Sequence, residues 1–357
     1  MEPSLTGPSP LLPALLDFPQ EAWDLGPAPA YRRTQLAEWV FRRRADSFDA
    51  MSNLPASLRT HLATHYRLRP LQLVRLQGSA DTTRKFLWKL GAGDFVESVL
   101  IPANPALYGE RSDRFTLCVS SQVGCAYGCK FCASGLEGWK RNLTPGEIVA
   151  QILEAEQAAG HRVDNLVFMG MGEPLANYKN LLIALDHINS PDGLNIGARH
   201  ITISTSGLAP VIRKLADHPR PFRLAISLHG ATDPIRNRIM PVNAKYPIHE
   251  LLDACAEFQT KKNKMITFEY ILIEGINDLP TEAEILASHA LRLRAKVNLI
   301  PYNTVDGLPW KRPTNNVMRR FQSILRARGV TATIRLEKGH DIDAACGQLR
   351  LKELRAA

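Results

Sequence analysis

The stretch Phe115-Thr-Leu-Cys118-Val-Ser-Ser-Gln-Val-Gly-Cys125-Ala-Tyr-Gly-Cys129-Lys-Phe-Cys132 passes from a strand into a cysteine-rich loop. Period two places Thr116, Cys118 and Ser120 on one face of the strand and Leu117 and Val119 on the other. In the loop, Cys125, Cys129 and Cys132 offer three thiolates. A closed structural zinc site takes four ligands, and no histidine lies between Val123 and Gly160 to complete one. A four-iron cluster can take three cysteines and leave its fourth iron open to another ligand. The spacing therefore assigns Cys125, Cys129 and Cys132 to a [4Fe-4S] cluster, against a zinc knuckle or three buried thiols.

Beyond Phe115, apolar runs at 115–120, 164–169, 200–205, 222–228, 266–273, 296–301 and 330–336 read as strands. Amphipathic stretches near 145–159, 178–188, 208–217, 248–260, 281–293 and 314–328 alternate with them. The alternation predicts an α/β fold, a partial (β/α)6 TIM-like barrel with parallel strands inside and helices outside. Neither Gly-x-Gly-x-x-Gly nor a P-loop follows any strand, so a nucleotide-binding open sheet has no support. Barrel chemistry gathers at the C-terminal ends of the strands. Those ends here carry Met169-Gly170-Met171-Gly172-Glu173-Pro174, Ser204-Thr205-Ser206-Gly207, Ser227-Leu228-His229-Gly230 and Pro301-Tyr302-Asn303. Glycines let backbone approach a ligand, and Glu173 can accept from an amino group. Taken singly these are a glycine-rich turn, a capping serine and a core histidine; their shared position makes them one site.

The 357 residues are 45% hydrophobic and 22% charged, enough to bury a full core. No apolar run is long enough to span a bilayer and no export signal is evident, which predicts a cytoplasmic protein that does not enter the membrane. Six cysteines in so long a chain do not suggest a disulfide scaffold. A net charge of +9 favours a polyanionic partner. Residues 1–30 read as a loosely docked, Pro-rich lead-in. Tyr31 to Arg69 holds eight Arg against three acids around helical apolar positions, so 31–83 reads as a basic helical accessory domain suited to RNA. Its alternative is an ordinary solvated helical face. Residues 84–114 read as a β-hairpin and connection, 115–337 as the barrel, and 338–357 as a C-terminal catalytic loop and tail.

Three further cysteines differ in setting. Cys118 reads as a free thiol near the barrel mouth, and Cys255 as a small hydrophobe on an apolar helix face. Cys346 lies in Gly339-His-Asp-Ile-Asp-Ala-Ala-Cys346-Gly-Gln-Leu349, too small and polar to be core, and reads as exposed and reactive. By pattern alone Glu97 is an exposed residue on the polar face of an edge strand.

Cys-x3-Cys-x2-Cys resembles the signature of the radical S-adenosylmethionine enzymes. From Tyr31 to Arg350 the chain is similar to the RlmN family within them. The similarity rests on Arg33-Thr34-Gln35-Leu36 with Trp39, Met51 to Pro55, Leu117 to Cys125, Arg141 to Thr144, Met169 to Pro174, Ser204 to Gly207, Ser227 to His229 and Ala344 to Leu349. The resemblance implies a methyltransferase acting on C2 of adenosine in 23S rRNA and in tRNA, with a [4Fe-4S] cluster and two S-adenosyl-L-methionine molecules per turnover. It implies that Cys346 accepts a methyl group and that a radical generated at the cluster takes hydrogen from it. The methylene then adds to C2, Glu97 takes the C2 proton, and Cys118 attacks Cys346 to free the product, leaving a transient disulfide. Gly172, Glu173, Ser204, Ser227, Leu228, His229 and Asn303 are implied as S-adenosylmethionine contacts. An electron donor such as flavodoxin and a monomeric enzyme complete the expectation. The related adenosine C8 methyltransferase of ribosomal antibiotic resistance is the alternative. The Pro-rich lead-in and a longer connection from Asn104 to Arg114 depart from the family pattern.

Overall fold

A computed structural model describes residues 11–79, 81–91, 93–103, 114–135, 138–305 and 307–335. Its main sheet opens with three antiparallel strands, β1 (Leu71–Gly78), β2 (Arg84–Leu90) and β3 (Phe95–Pro102). β3 pairs antiparallel with β4 (Phe115–Cys118), placing Val99 opposite Cys118. A small ribbon of β5 (Gln122–Gly124) and β6 (Trp139–Asn142) follows outside the sheet. From β4 onward the pairing is parallel: β7 (Asn165–Phe168), β8 (Ile201–Thr205), β9 (Arg223–Ser227), β10 (Thr267–Leu272), β11 (Lys296–Pro301) and β12 (Ala332–Ile334). Because β3 occupies the free edge of β4, β12 has no edge there to close on. The barrel is partial.

The helices are α1 (Arg32–Phe41), α2 (Ala56–His65), α3 (Pro145–Ala159), α4 (Tyr178–Asn189), α5 (Ala209–Asp217), α6 (Asp233–Ile239), α7 (Ile248–Lys262), α8 (Pro280–Arg292) and α9 (Asn315–Ala327). α3 begins with a capping box: Thr144 accepts from the Glu147 N–H, and Glu147 reaches back to the Thr144 N–H. Arg141 grips the same Glu147 carboxylate at 2.8 and 2.9 Å, tying β6 to the helix start. Inside the barrel wall, Gln151 of α3 accepts from Ser98 at 2.8 Å and from the Ser120 N–H at 2.9 Å, and donates to the Ser120 carbonyl.

Three stretches differ from the sequence expectation. Residues 11–30 are docked, with Leu15, Leu16, Trp23 and Leu25 buried. Trp23 stacks between Phe41 and His187, the Leu15 N–H donates to the Arg67 carbonyl, and the Asp17 carboxylate accepts from the Gly146 N–H in the first turn of α3. The prolines hid apolar residues that bind this segment to the barrel. Residues 71–78 form β1, extending the hairpin to three strands. Leu73, Val74 and Leu76 stay exposed on it, and a register shift between Leu73 and Arg75 breaks the alternation that marks a strand. Finally, α6 follows β9, where a short polar stretch gave no apolar period.

Trp23→Ala should destabilise the protein by about 3–5 kcal/mol, the usual cost of emptying a large buried site. Denaturant unfolding read by fluorescence checks the energy. Limited proteolysis should then cut ahead of residue 31, which it should not do in the native protein.

Candidate active site

The cysteine loop leaves β4 through the β5–β6 ribbon, and the ribbon is what closes it. The Cys125 N–H donates to the Gly138 carbonyl at 3.0 Å, and Gly124 takes φ +75°. A Cβ at Gly124 would lie 1.9 Å from the Gly138 oxygen, so no side chain fits. Inside the loop, the Cys132 N–H donates to the Cys129 carbonyl and the Gly135 N–H to the Cys132 carbonyl. Lys130 fastens the loop from outside: its N–H donates to the Ile239 carbonyl at the end of α6, and its carbonyl accepts from Trp310 Nε1. These bonds hold Cys125, Cys129 and Cys132 against one cavity of about 360 Å3, within the range of small-molecule sites.

The opposite wall is made by strand ends. Gly172, Glu173, Ser204, Ser227, His229 and Asn303 all line the cavity, as does Cys118 at the end of β4. Gly172 (φ +93°) sits so close to Gln122 that an added Cβ would fall 2.4 Å from its Cβ. Gln122 Oε1 then accepts from the Glu173 N–H at 2.8 Å, while its amide donates to Asn142. Glu173 is buried; its two oxygens accept from the N–H groups of Leu175 (2.9 Å) and Ser206 (2.6 Å). Burial nonetheless pushes its carboxyl up from the usual range, so an incoming ammonium group would find a carboxylate with something to gain from the contact.

His229 has left-handed backbone (φ 56°), uncommon for a non-glycine residue. Its Nδ1 accepts from the Ile271 N–H at 3.0 Å, which leaves the proton on Nε2. Burial, with the charge of Arg236 in support, lowers its pKa to about 3. The ring is a neutral donor, braced edge-on by Phe131 of the cysteine loop. Ser204 and Ser227 stand side by side on β8 and β9, hydroxyls 3.4 Å apart.

Two expected site residues do not line the cavity. Leu228 is wholly buried, its N–H donating to the Glu269 carbonyl, so it contributes support from behind. Glu97 is not on an exposed face: its side chain is fully buried on β3 and ion-paired to Lys85 at 2.9 Å. Period two puts Glu97 on the same face as Val99 and Ile101, which do line the cavity. β2 and β4 flank β3 on its two sides, so the strand is not an edge. Cys346 lies outside the described residues. Sequence reasoning missed Arg236, wholly buried on α6, and Glu269, a buried carboxylate on the cavity wall whose pKa is raised by burial. The signal for Glu269 was an acid inside the apolar run Thr267 to Leu272. For Arg236 it was Thr232-Asp233-Pro234, a helix start with proline at the first turn.

The residues present fit a three-cysteine cluster with an amino-acid-bearing cofactor on it. Burial drives the Cys125 thiol up to about 12 and the Cys129 thiol higher still, so bare thiolates are unfavourable here and a metal would offset them. Among the described residues the buried Ser134 hydroxyl on the cavity wall has no hydrogen-bond partner, an oxygen left for a bound group.

Comparison with known proteins agrees with this chemistry. Residues 119–285 match the radical SAM superfamily, and residues 24–68 match the ribosomal RNA large subunit methyltransferase N-terminal domain. A protein of Akkermansia muciniphila named probable dual-specificity RNA methyltransferase RlmN is 59% identical over 323 residues, 90% of each chain. The dual-specificity RNA methyltransferase RlmN of Anaeromyxobacter dehalogenans is 47% identical over 350 residues, 94% of this chain and 91% of that one. The crystal structure of a radical SAM methyltransferase from Sphaerobacter thermophilus superposes with a TM-score of 0.88 at 44% identity, over 94% of this chain and 98% of that one.

After anaerobic reconstitution, Cys125→Ala, Cys129→Ala and Cys132→Ala should each lose the cluster by iron and sulfide analysis, while Cys118→Ala keeps it. Gly172→Ala should leave the iron content intact and weaken S-adenosylmethionine binding by at least about tenfold, roughly 1.4 kcal/mol. Equilibrium dialysis reads the second effect.

Proposed function

The chain belongs to the RlmN family of radical SAM RNA methyltransferases, and from that premise we propose that it methylates C2 of adenosine in 23S rRNA and in tRNA, using Cys346 and Cys118 as a thiol pair. The observation that carries the reading is the place of Cys118. It is outside the cysteine loop, yet it lines the same cavity. A thiol there is poised to attack something held over the three-cysteine loop rather than to join it.

An aromatic C2–H is not acidic and the carbon is electrophilic, so a polar attack by that carbon on a methyl cation equivalent fails. The family cofactors, a [4Fe-4S] cluster and S-adenosyl-L-methionine, supply one-electron reductive cleavage and a carbon radical. The protein's part lies in its own side chains. Glu173, with its N–H-bonded carboxyl, and the neutral His229 donor orient the amino-acid and nucleoside ends of the cofactor, and Ser204, Ser227 and Asn303 offer further polar contacts. Cys346 accepts a methyl group by displacement from one S-adenosylmethionine; a second is consumed in removing hydrogen from that methyl. The methylene on the Cys346 sulfur bonds to C2, joining protein to RNA. The adduct would return its odd electron to the one-electron chemistry that the cofactors supply, Glu97 takes the C2 proton, and the Cys118 thiolate attacks the Cys346 sulfur, breaking its bond to carbon and leaving a Cys118–Cys346 disulfide while the released carbon takes up a proton to become the methyl group. External reduction resets the pair. For Glu97 the support is its face on β3 and its charge balance with Lys85.

RNA is the partner, and the N-terminal module is where it docks in this reading. Arg42, Arg43 and Arg44 divide there. Arg44 pairs with Glu156 on α3 and is half-buried, so it holds the module on the barrel. Arg43 bonds Glu38 and lies 4.5 Å from the ring centre of Trp39, while among the described residues the Arg42 guanidinium donates only to the Pro191 carbonyl. Arg42 and Arg43 are therefore the phosphate contacts. A flavodoxin-like donor, a monomeric state and a cytoplasmic setting belong to the same reading. No helix among the described residues is long and apolar enough to cross a membrane.

Cys118→Ala should accumulate as a covalent protein–RNA species on denaturing gels, collapsing on ribonuclease treatment, whereas Cys346→Ala and the double variant should show none. Normal turnover by Cys118→Ala would overturn the assignment. Nucleoside mass spectrometry separates 2-methyladenosine from the C8 product. Arg42→Ala with Arg43→Ala should weaken RNA binding and flatten its salt dependence by about two phosphate contacts. Arg44→Ala should instead lower stability, seen in unfolding midpoints.

A further inference from the structure

Arg236 lies on α6 with no solvent exposure at all. Its guanidinium donates from Nε to the Leu228 carbonyl at 3.0 Å, from Nη1 to Asn243 Oδ1 at 2.7 Å and from Nη2 to the Ser206 carbonyl at 2.5 Å. All three acceptors are neutral. Among the described residues no carboxylate touches it; the Asp233 carboxylate is reached only through Asn243, whose amide donates to it at 2.8 Å. A buried charge without a counter-ion is costly, and proteins retain one where something offsets it. Burial lowers its pKa to about 10, and the strongest influence restoring the charge is Cys129 in its thiolate form, the form that a bound cluster would hold.

The surroundings are built to keep this cation in place. Gly230 faces it so closely that a Cβ would lie 2.9 Å from Arg236 backbone atoms, and a Cβ on Gly207 (φ +113°) would press on Nη2 at 3.1 Å. The cysteine loop is bonded to the last residue of the same short helix through Lys130 and Ile239. Arg236 thus stands behind the strand ends of β8 and β9, on the helix to which the cluster loop is tied.

We propose that Arg236 is a positioning residue whose buried positive charge raises the reduction potential of the cluster held by Cys125, Cys129 and Cys132. Adding an electron makes the cluster more negative, and a fixed cation in a poorly screened interior stabilises that state. Asp233, linked through Asn243, partly cancels the field. This inference rests on the cluster reading of the cysteine loop.

The test is an anaerobic redox titration of the reconstituted full-length protein, following the reduced-cluster signal by electron paramagnetic resonance. Arg236→Gln should move the midpoint potential to more negative values, Arg236→Lys should stay near wild type, and Asp233→Asn should move it to more positive values. Opposite shifts from neighbours in one hydrogen-bond chain are not what a packing defect produces. Equal midpoints in all three, or shifts of one sign in Arg236→Gln and Asp233→Asn, would overturn the proposal. If Arg236→Gln does not fold, the Asp233→Asn shift decides alone, an unchanged midpoint sinking the idea. A wild-type protein with no reducible cluster would instead remove the reading of the loop.

Discussion

The thiols of Cys125 and Cys129, crowded into a hollow beside Cys132, resist ionisation, and the active site is arranged around that resistance. Burial alone holds Cys125 and Cys129 far from the thiolate form that a metal needs. The loop must therefore be shaped before anything binds, because the sulfurs gain nothing from converging unaided. The shape comes from uncharged parts: the β5–β6 ribbon, the Gly124–Gly138 approach and the tether from Lys130 to α6. Each fixes backbone rather than sulfur, so the loop does not depend on metal for its main-chain hydrogen bonds.

The open barrel follows from a similar economy. β3 takes the edge of β4 on which β12 could have closed, and in doing so brings Val99 beside Cys118. One pairing both prevents closure and lays an extra wall along the mouth. A substrate as large as folded RNA needs an entrance wider than a closed barrel offers, and the antiparallel strands leave one while still covering the buried Lys85–Glu97 pair.

Much of this was legible in the residues. The parallel strands and the helices that alternate with them announce themselves because each buries one face with its own period, and the structure places them within a few residues of where the periods fall. The cavity walls were legible for another reason: Gly172, Glu173, Ser204, Ser227, His229 and Asn303 follow strands directly, and a parallel sheet brings such positions together. What stayed hidden depends on long-range partners. Leu15 and Trp23 look like ornaments of a proline-rich tail until His187 and α3 are placed against them. Glu97 looks exposed until β2 and β4 flank its strand and Lys85 pairs with it. Arg236 reads as surface charge on a short polar segment, and only the meeting of the β8 and β9 ends with α6 buries it.

The Asp17 carboxylate at the first turn of α3 closes a chain of contacts across the molecule. From Asp17 it runs through α3 to Gln151, from Gln151 to Ser120, and from the Ser120 hydroxyl to the carbonyl of Glu97 and the N–H of Met171. Among the described residues these bonds join the N-terminal segment that carries Asp17 to the cavity wall. Bonds of this kind set a span between the outer segment and the cavity, as the jaws of a caliper do, and an RNA reaching across both would have to match it in length and fold.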